Sequence, residues 1–186
     1  MHIPKKGLRA LGIAESYTGR SVSRVAGVVM RKDLHIDGFI FSTVTVGGMD
    51  ATASVLNMVQ TLERSDINVI MLSGCVIAWF NIINPSLINQ ETGIPVICVT
   101  YEDSKGLDSD IRYHFPDDTA RILAYENLGK RISVELHTHQ TLFIRAWGID
   151  HRDAGRLCND FTHEGKIPEP LRVARLCARN LPAPPL

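Results

Sequence analysis

Apolar residues run almost unbroken from Leu8 to Ala14, the pattern of a strand covered on both faces. Thr18-Gly19 then marks a turn. Val22 to Met30 and Leu34 to Val46 read as two more strands, joined at Lys32-Asp33 as a hairpin, and Gly47-Gly48 ends the third. Asp50 sits where an N-cap carboxylate belongs, because Val55, Met58, Val59 and Leu62 follow at helical spacing. Ile67 to Leu72 is short and apolar, as a buried parallel strand would be. Asn84-Pro85 opens a helix that Gly93 closes, and Pro95 to Tyr101 forms the fifth strand.

The remaining pattern is more polar. Residues 102–118 read as a loop with one short helical turn. A helix over 118–128 ends at Gly129. Segments 131–136 and 141–146 flank His137-Thr138-His139 as a hairpin or an excursion. Helices over 150–162 and 168–180 follow, then a proline-rich tail. Three strands in a meander followed by strands joined through crossover helices predict an α/β fold. Its sheet is mixed, three antiparallel strands then parallel ones, with helices on both faces.

The 186 residues suit a single domain, 1–186, and 45% apolar content supplies a sizeable core. No apolar run approaches the roughly 20 residues of a membrane span, so a membrane partner is not expected. No apolar signal segment follows Lys5-Lys6, and a cytoplasmic location is the expectation. The four cysteines are widely spaced and form no zinc-ribbon or thioredoxin pair; Cys75 and Cys98 read as buried small hydrophobes. Formal charge is zero, yet the first 35 residues carry seven Lys and Arg against two acids. A basic edge and a merely solvated surface both fit that imbalance.

Several residues carry candidate chemistry. Glu15 ends the first strand and Ser73-Gly74 the fourth, where open α/β sheets place ligands. Asp50 reads as a cap and as a metal ligand, the two being compatible. Asp150 and Asp153 open a helix, either as cap and dipole-matching charge or as the last carboxylates of a site. Arg172, Arg175 and Arg179 share one helical face, fit for phosphate contact or for solvent. Arg20 and Arg24 add to the basic N-terminal stretch as nucleic-acid contacts. Trp79-Phe80 offers either a base-stacking surface or core packing. His137 and His139 lack the further ligands of a zinc set and read as a turn.

Four segments carry a resemblance to a family: Leu11-Gly-Ile-Ala-Glu-Ser-Tyr17, Val69-Ile-Met-Leu-Ser-Gly74, Thr92-Gly-Ile-Pro-Val-Ile97 and Gly165-Lys-Ile-Pro-Glu-Pro-Leu-Arg-Val-Ala174. They resemble endonuclease V-like proteins. The chain resembles still more an archaeal domain-of-unknown-function family related to endonuclease V, over nearly its whole length. Asp50-Ala-Thr52 and Phe80-Asn81 are similar to further positions of that family. The resemblance implies a ribonuclease H-like fold, a nucleic-acid partner, a link to repair of deaminated bases, and phosphodiester cleavage with Mg or Mn held by several carboxylates.

The chain departs from that pattern where it matters. Ala14 and Ser73 stand where the family places aspartates. Glu15 is adjacent to Ala14 but points to the other face of the strand. The implied catalytic set is therefore Glu15, Asp50 and Ser73, with Glu15, Asp50, Asp150 and Asp153 as the metal carboxylates if the protein is active, and no cofactor otherwise. Two function classes follow: an endonuclease V-like protein with an incomplete metal site and weak or absent nuclease activity, or a non-catalytic binding or scaffold module, compatible with a homodimer.

Overall fold

The computed structural model describes residues 7–17 and 21–181. The turn expected at Thr18-Gly19, the candidate Arg20 and the tail from 182 onward lie outside the described residues. Strands β1 (Arg9–Ser16), β2 (Val22–Arg31) and β3 (Ile36–Thr45) form the expected antiparallel meander. Helix α1 (Ala51–Leu62) crosses to β4 (Val69–Ser73), which pairs parallel with β1. A two-stranded ribbon, β5 (Val76–Ile77) and β6 (Asn81–Ile82), precedes α2 (Pro85–Thr92) and β7 (Val96–Thr100), parallel to β4. Helices α3 (Asp108–His114) and α4 (Thr119–Glu126) come next. Strands β8 (Ile132–Glu135) and β9 (Thr141–Trp147) and helices α5 (His151–Asp160) and α6 (Glu169–Asn180) complete the chain. The seven-stranded sheet has the order β3-β2-β1-β4-β7-β9-β8, with β9 antiparallel to β7.

Alternation along β1 assigns its two faces. Leu11 and Ile13 enter the core beneath α1 and α2, with Val55, Met58, Ile70 and Leu72. Ala10, Gly12 and Ala14 face α6 instead. These residues are small for a reason. A Cβ on Gly12 would lie 2.5 Å from the Pro170 backbone, so α6 can rest directly on β1 only because that side chain is absent. Ala174 and Ala178 of α6 are buried with them.

The expected caps hold at Asn84, whose side chain accepts from the Leu87 amide at 3.1 Å, and at Gly93, which closes α2 with φ 68°. Four details differ from or refine the sequence reading. Residues 108–114 form a full helix, α3, with two aspartates in its first turn and Arg112 and His114 in its last. The third strand begins at Ile36, because Leu34 takes a left-handed conformation to make the turn. Of hairpin and excursion, the 132–135 and 141–147 segments take the hairpin, which extends the main sheet. Asp50 occupies the N-cap position of α1 but its carboxylate does not cap; the Asn81 side chain accepts from the Ala51 amide at 3.1 Å in its place.

All four cysteines are free thiols, and Cys75, Cys98 and Cys158 are buried, as small hydrophobes would be. His137 sits in a turn against Asn159. No helix among the described residues is long and apolar enough to cross a membrane.

Candidate strand-tip site

The carboxyl ends of β1, β4 and β7 lie side by side, since the three strands are parallel neighbours. One face of these tips is covered by α6. Ala14 and Ser73 fall one residue beyond the register pair Ile13↔Leu72, on that same face. Ala14 is buried and packs with Ala174. The Ser73 hydroxyl lies 3.5 Å from the Tyr101 hydroxyl. Burial pushes the Tyr101 phenol up to about 12, with the Ser73 hydrogen bond and the positive charge of Arg175 acting against it. Arg175, one turn beyond Leu171 on α6, is half-buried there and makes no hydrogen bond or ion pair among the described residues. Lys166 reaches the same edge, donating to the Tyr101 carbonyl at 2.8 Å and to Glu102.

Arg24 belongs to this face too. It pairs with Ser16 across β1 and β2, and it alternates with Ala26, Val28 and Met30, which lie under α6. Arg172 does not reach inward: it is exposed and its guanidinium forks onto Glu169 at 2.6–2.9 Å. Arg179 is exposed near the end of α6.

Glu15 points to the other face. It accepts hydrogen bonds from the Ser23 hydroxyl and the Ala78 amide. Burial raises its pKa, and those two bonds with the nearby charge of Arg175 offset only part of the rise. The second of these donors, Ala78, belongs to an unusual turn. Ala78, Trp79 and Phe80 are all left-handed, with φ of 41°, 58° and 61°. Non-glycine residues hold such conformations only when the surroundings over-determine them. Arg121 does this. It is 4% exposed and donates to the carbonyls of Gly47, Gly48 and Phe80, while its Nε pairs with Asp118 at 3.0 Å. Its guanidinium also lies 3.9 Å from the Phe115 ring centre. The turn presents Trp79, 45% exposed, in contact with Phe80 and His114.

Asp50 is committed to the same loops. Its carboxylate accepts from the Thr45 amide, the Thr45 hydroxyl at 2.8 Å and the Asn81 amide at 2.6 Å. Burial acts to raise its pKa, but the Asn81 and Thr45 hydrogen bonds outweigh it and hold the carboxylate below its ordinary range.

Asp150 and Asp153 require a correction. Strand β9 runs antiparallel to β7, and its last residue, Trp147, pairs with Val96 at the start of β7. The loop after β9 therefore returns to the opposite edge of the sheet. Asp150 and Asp153 follow β9 at the end of the sheet where β7 starts, and Ser73 stands where β4 ends. Asp150 caps α5 by accepting from the Asp153 amide at 2.9 Å.

The four acids named from the sequence thus do not converge. Among the described residues no three His, Cys, Asp or Glu side chains gather as a metal cluster. The donors that do gather at the α6 face are a serine, a phenol and an arginine, which do not fit a two-cation centre. They fit an anion. Sequence reasoning missed Tyr101, Lys166 and Arg121. Nothing local marks the role of Arg121, because the carbonyls it holds lie more than 40 residues away.

Comparison with known proteins agrees with this architecture. The UPF0215 protein of Pyrobaculum calidifontis is 37% identical over 173 residues, which cover 92% of this chain and 95% of that protein. The UPF0215 protein of Methanothermobacter thermautotrophicus is 33% identical, over 95% of this chain and 89% of its own. A protein of unknown function from Archaeoglobus fulgidus superposes with a TM-score of 0.81 at 27% identity, over 92% of this chain and 96% of its own. Human endonuclease V superposes with a TM-score of 0.62 at 16% identity, over 95% of this chain and 87% of its own. Ciona intestinalis endonuclease V, bound to an inosine-containing DNA, gives a TM-score of 0.62 at 12% identity, over 92% of this chain and 84% of its own. The fold is thus the ribonuclease H-like one of endonuclease V. The profile of the endonuclease dU family matches residues 6–182, nearly the whole sequence, and the chain belongs to that family.

Proposed function

We propose that this protein binds nucleic acid through the α6 side of its strand tips, in the context of deaminated-base recognition, and that its metal-dependent nuclease activity is weak or absent. The observation that carries the reading is Arg175. A half-buried guanidinium with no hydrogen bond or ion pair among the described residues stands within electrostatic reach of Tyr101, whose hydroxyl meets Ser73, and of Glu15. A positive charge there repels divalent cations and attracts a phosphate oxygen. Arg24 and Lys166 extend the positive edge, and Trp79 supplies an exposed ring on which an unpaired base could stack. The DNA held by the Ciona neighbour lends support to a nucleic-acid partner. Should cleavage occur, Mg or Mn with Glu15 and Asp50 is the arrangement the sequence allows.

The test is fluorescence anisotropy and gel cleavage with inosine-containing, uracil-containing and undamaged strands, with and without manganese. Salt-sensitive binding without metal-dependent nicking is the expected result. Arg175→Gln should weaken binding about tenfold, the loss of one charge-assisted hydrogen bond. Unchanged binding by that variant would remove the α6 face from the interface. Brisk manganese-dependent cleavage would overturn the loss of activity.

A second reading, a non-catalytic scaffold, is favoured by the β3 edge. Phe39 and Phe41 stack there with ring centres 6.4 Å apart, both about half exposed on a ten-residue edge strand. Such an edge suits pairing with a second copy, and sedimentation would show a dimer that Phe39→Lys dissociates.

A further inference from the structure

The ends of β4 and β7 also open on the face opposite α6, into a separate cavity of about 540 Å³. Its size is in the range of small-ligand sites, roughly 300–1,000 Å³. The charged side chains on its walls are Lys105, Lys130, Arg131 and Arg145, against a single acid, Asp103. That acid does little to neutralise them, since it is 86% exposed and 3.7 Å from Arg131.

The two arginines have different jobs. Arg131 is spent on the loop after β7, donating to the carbonyls of Glu102 and Ser104 and to the Thr100 hydroxyl. It fixes the rim. Arg145 is different. It projects from the middle of β9, opposite Cys98, on the face that carries the larger core. It is half-buried, and its Nε donates to the Gly129 carbonyl at 2.8 Å. Its two terminal nitrogens make no hydrogen bond, and no carboxylate lies within ion-pair distance among the described residues. A cation withdrawn from water without a partner is costly. Five donors in a planar fork match a phosphate, and here only one donor is used. The Phe143 ring, 5.2 Å from the Arg131 guanidinium, and Tyr125 give the cavity an aromatic wall beyond the charges.

We propose that this cavity is a phosphate-binding site, in which Arg145 grips the phosphate of a nucleotide or of a strand end, assisted by Lys130 and Lys105. It lies on the other face of the sheet from Arg175 and does not depend on the strand-tip reading.

Titration calorimetry of the full chain with inorganic phosphate, a deoxynucleoside monophosphate, the matching nucleoside, and a short single strand with and without a 5′-phosphate tests the site. The phosphate-bearing ligands should bind and the nucleoside should not. Arg145→Gln should weaken phosphate binding at least tenfold. Lys130→Gln, at an exposed position with no hydrogen bond to lose, should weaken it about threefold and keeps the test valid if Arg145→Gln does not fold. Preference for the 5′-phosphorylated strand over the mononucleotide identifies a strand end as the source, and the reverse preference a free nucleotide. Absence of phosphate binding, equal binding of nucleoside and nucleotide, or unchanged affinity in both the Arg145 and Lys130 variants overturns the proposal.

Discussion

Arg121 shows how one side chain can order a surface that has little core of its own. Three carbonyls from two separate loops end on its guanidinium, and Asp118 orients it from one turn away on α4. Removing it would leave those partly buried acceptors without their donor and release the left-handed turn at 78–80. Arg121→Ala should therefore cost about 3 kcal/mol, measured by urea denaturation, because three acceptors each lose a charge-assisted hydrogen bond at about 1 kcal/mol apiece. A loss near zero would mean that water replaces the guanidinium without strain. Glu15 should feel the change as well, since the Ala78 amide that donates to it belongs to that turn. None of this is legible locally: Arg121 sits in an ordinary helical segment, and its acceptors are backbone atoms distant in sequence.

At the level of elements, β1 and α6 are the pair that builds the site. The apolar run of β1 is plain in the sequence, and so are the helical spacing and opening prolines of α6. Their contact rests on Gly12. An added methyl group would meet the Pro170 backbone at 2.5 Å, where nothing flexible can yield. Gly12→Ala should therefore destabilise the protein by about 2 kcal/mol, through overpacking that displaces α6. In a chain of this length that loss lowers the melting temperature by roughly 4–8 °C. It should also weaken nucleic-acid binding by moving Arg175. A variant as stable as the parent would show that α6 has slack against the sheet. The acids of α5 teach the opposite lesson. Asp150 and Asp153 open a helix just as a catalytic carboxylate would, yet the direction of β9 puts them at the wrong edge. Helix starts are visible in sequence; the edge of the sheet they reach is not.

For the molecule as a whole, the described residues gather no carboxylate cluster of the kind a metal cage needs. Neighbouring strands stand about 4.8 Å apart, so aspartates at residues 14 and 73 would sit close enough to share a cation. The double variant Ala14→Asp/Ser73→Asp should melt at a lower temperature than the parent without metal, because it places like charges in a partly buried place. Millimolar manganese should restore part of that loss and leave the parent unaffected. A variant indifferent to manganese would show that Arg175 alone defeats cation binding. What the sequence determined by itself was the order of strands and helices and the fold that follows from it, because apolar periodicity and capping residues act over a few neighbouring positions. What only tertiary structure decided was which charges meet: that Asp50 serves Thr45 and Asn81, that Arg175 stands at the strand tips, and that Arg145 is left without a carboxylate partner among the described residues of a cavity. Those pairings depend on strand direction and on contacts between residues far apart in the chain, which no local pattern records.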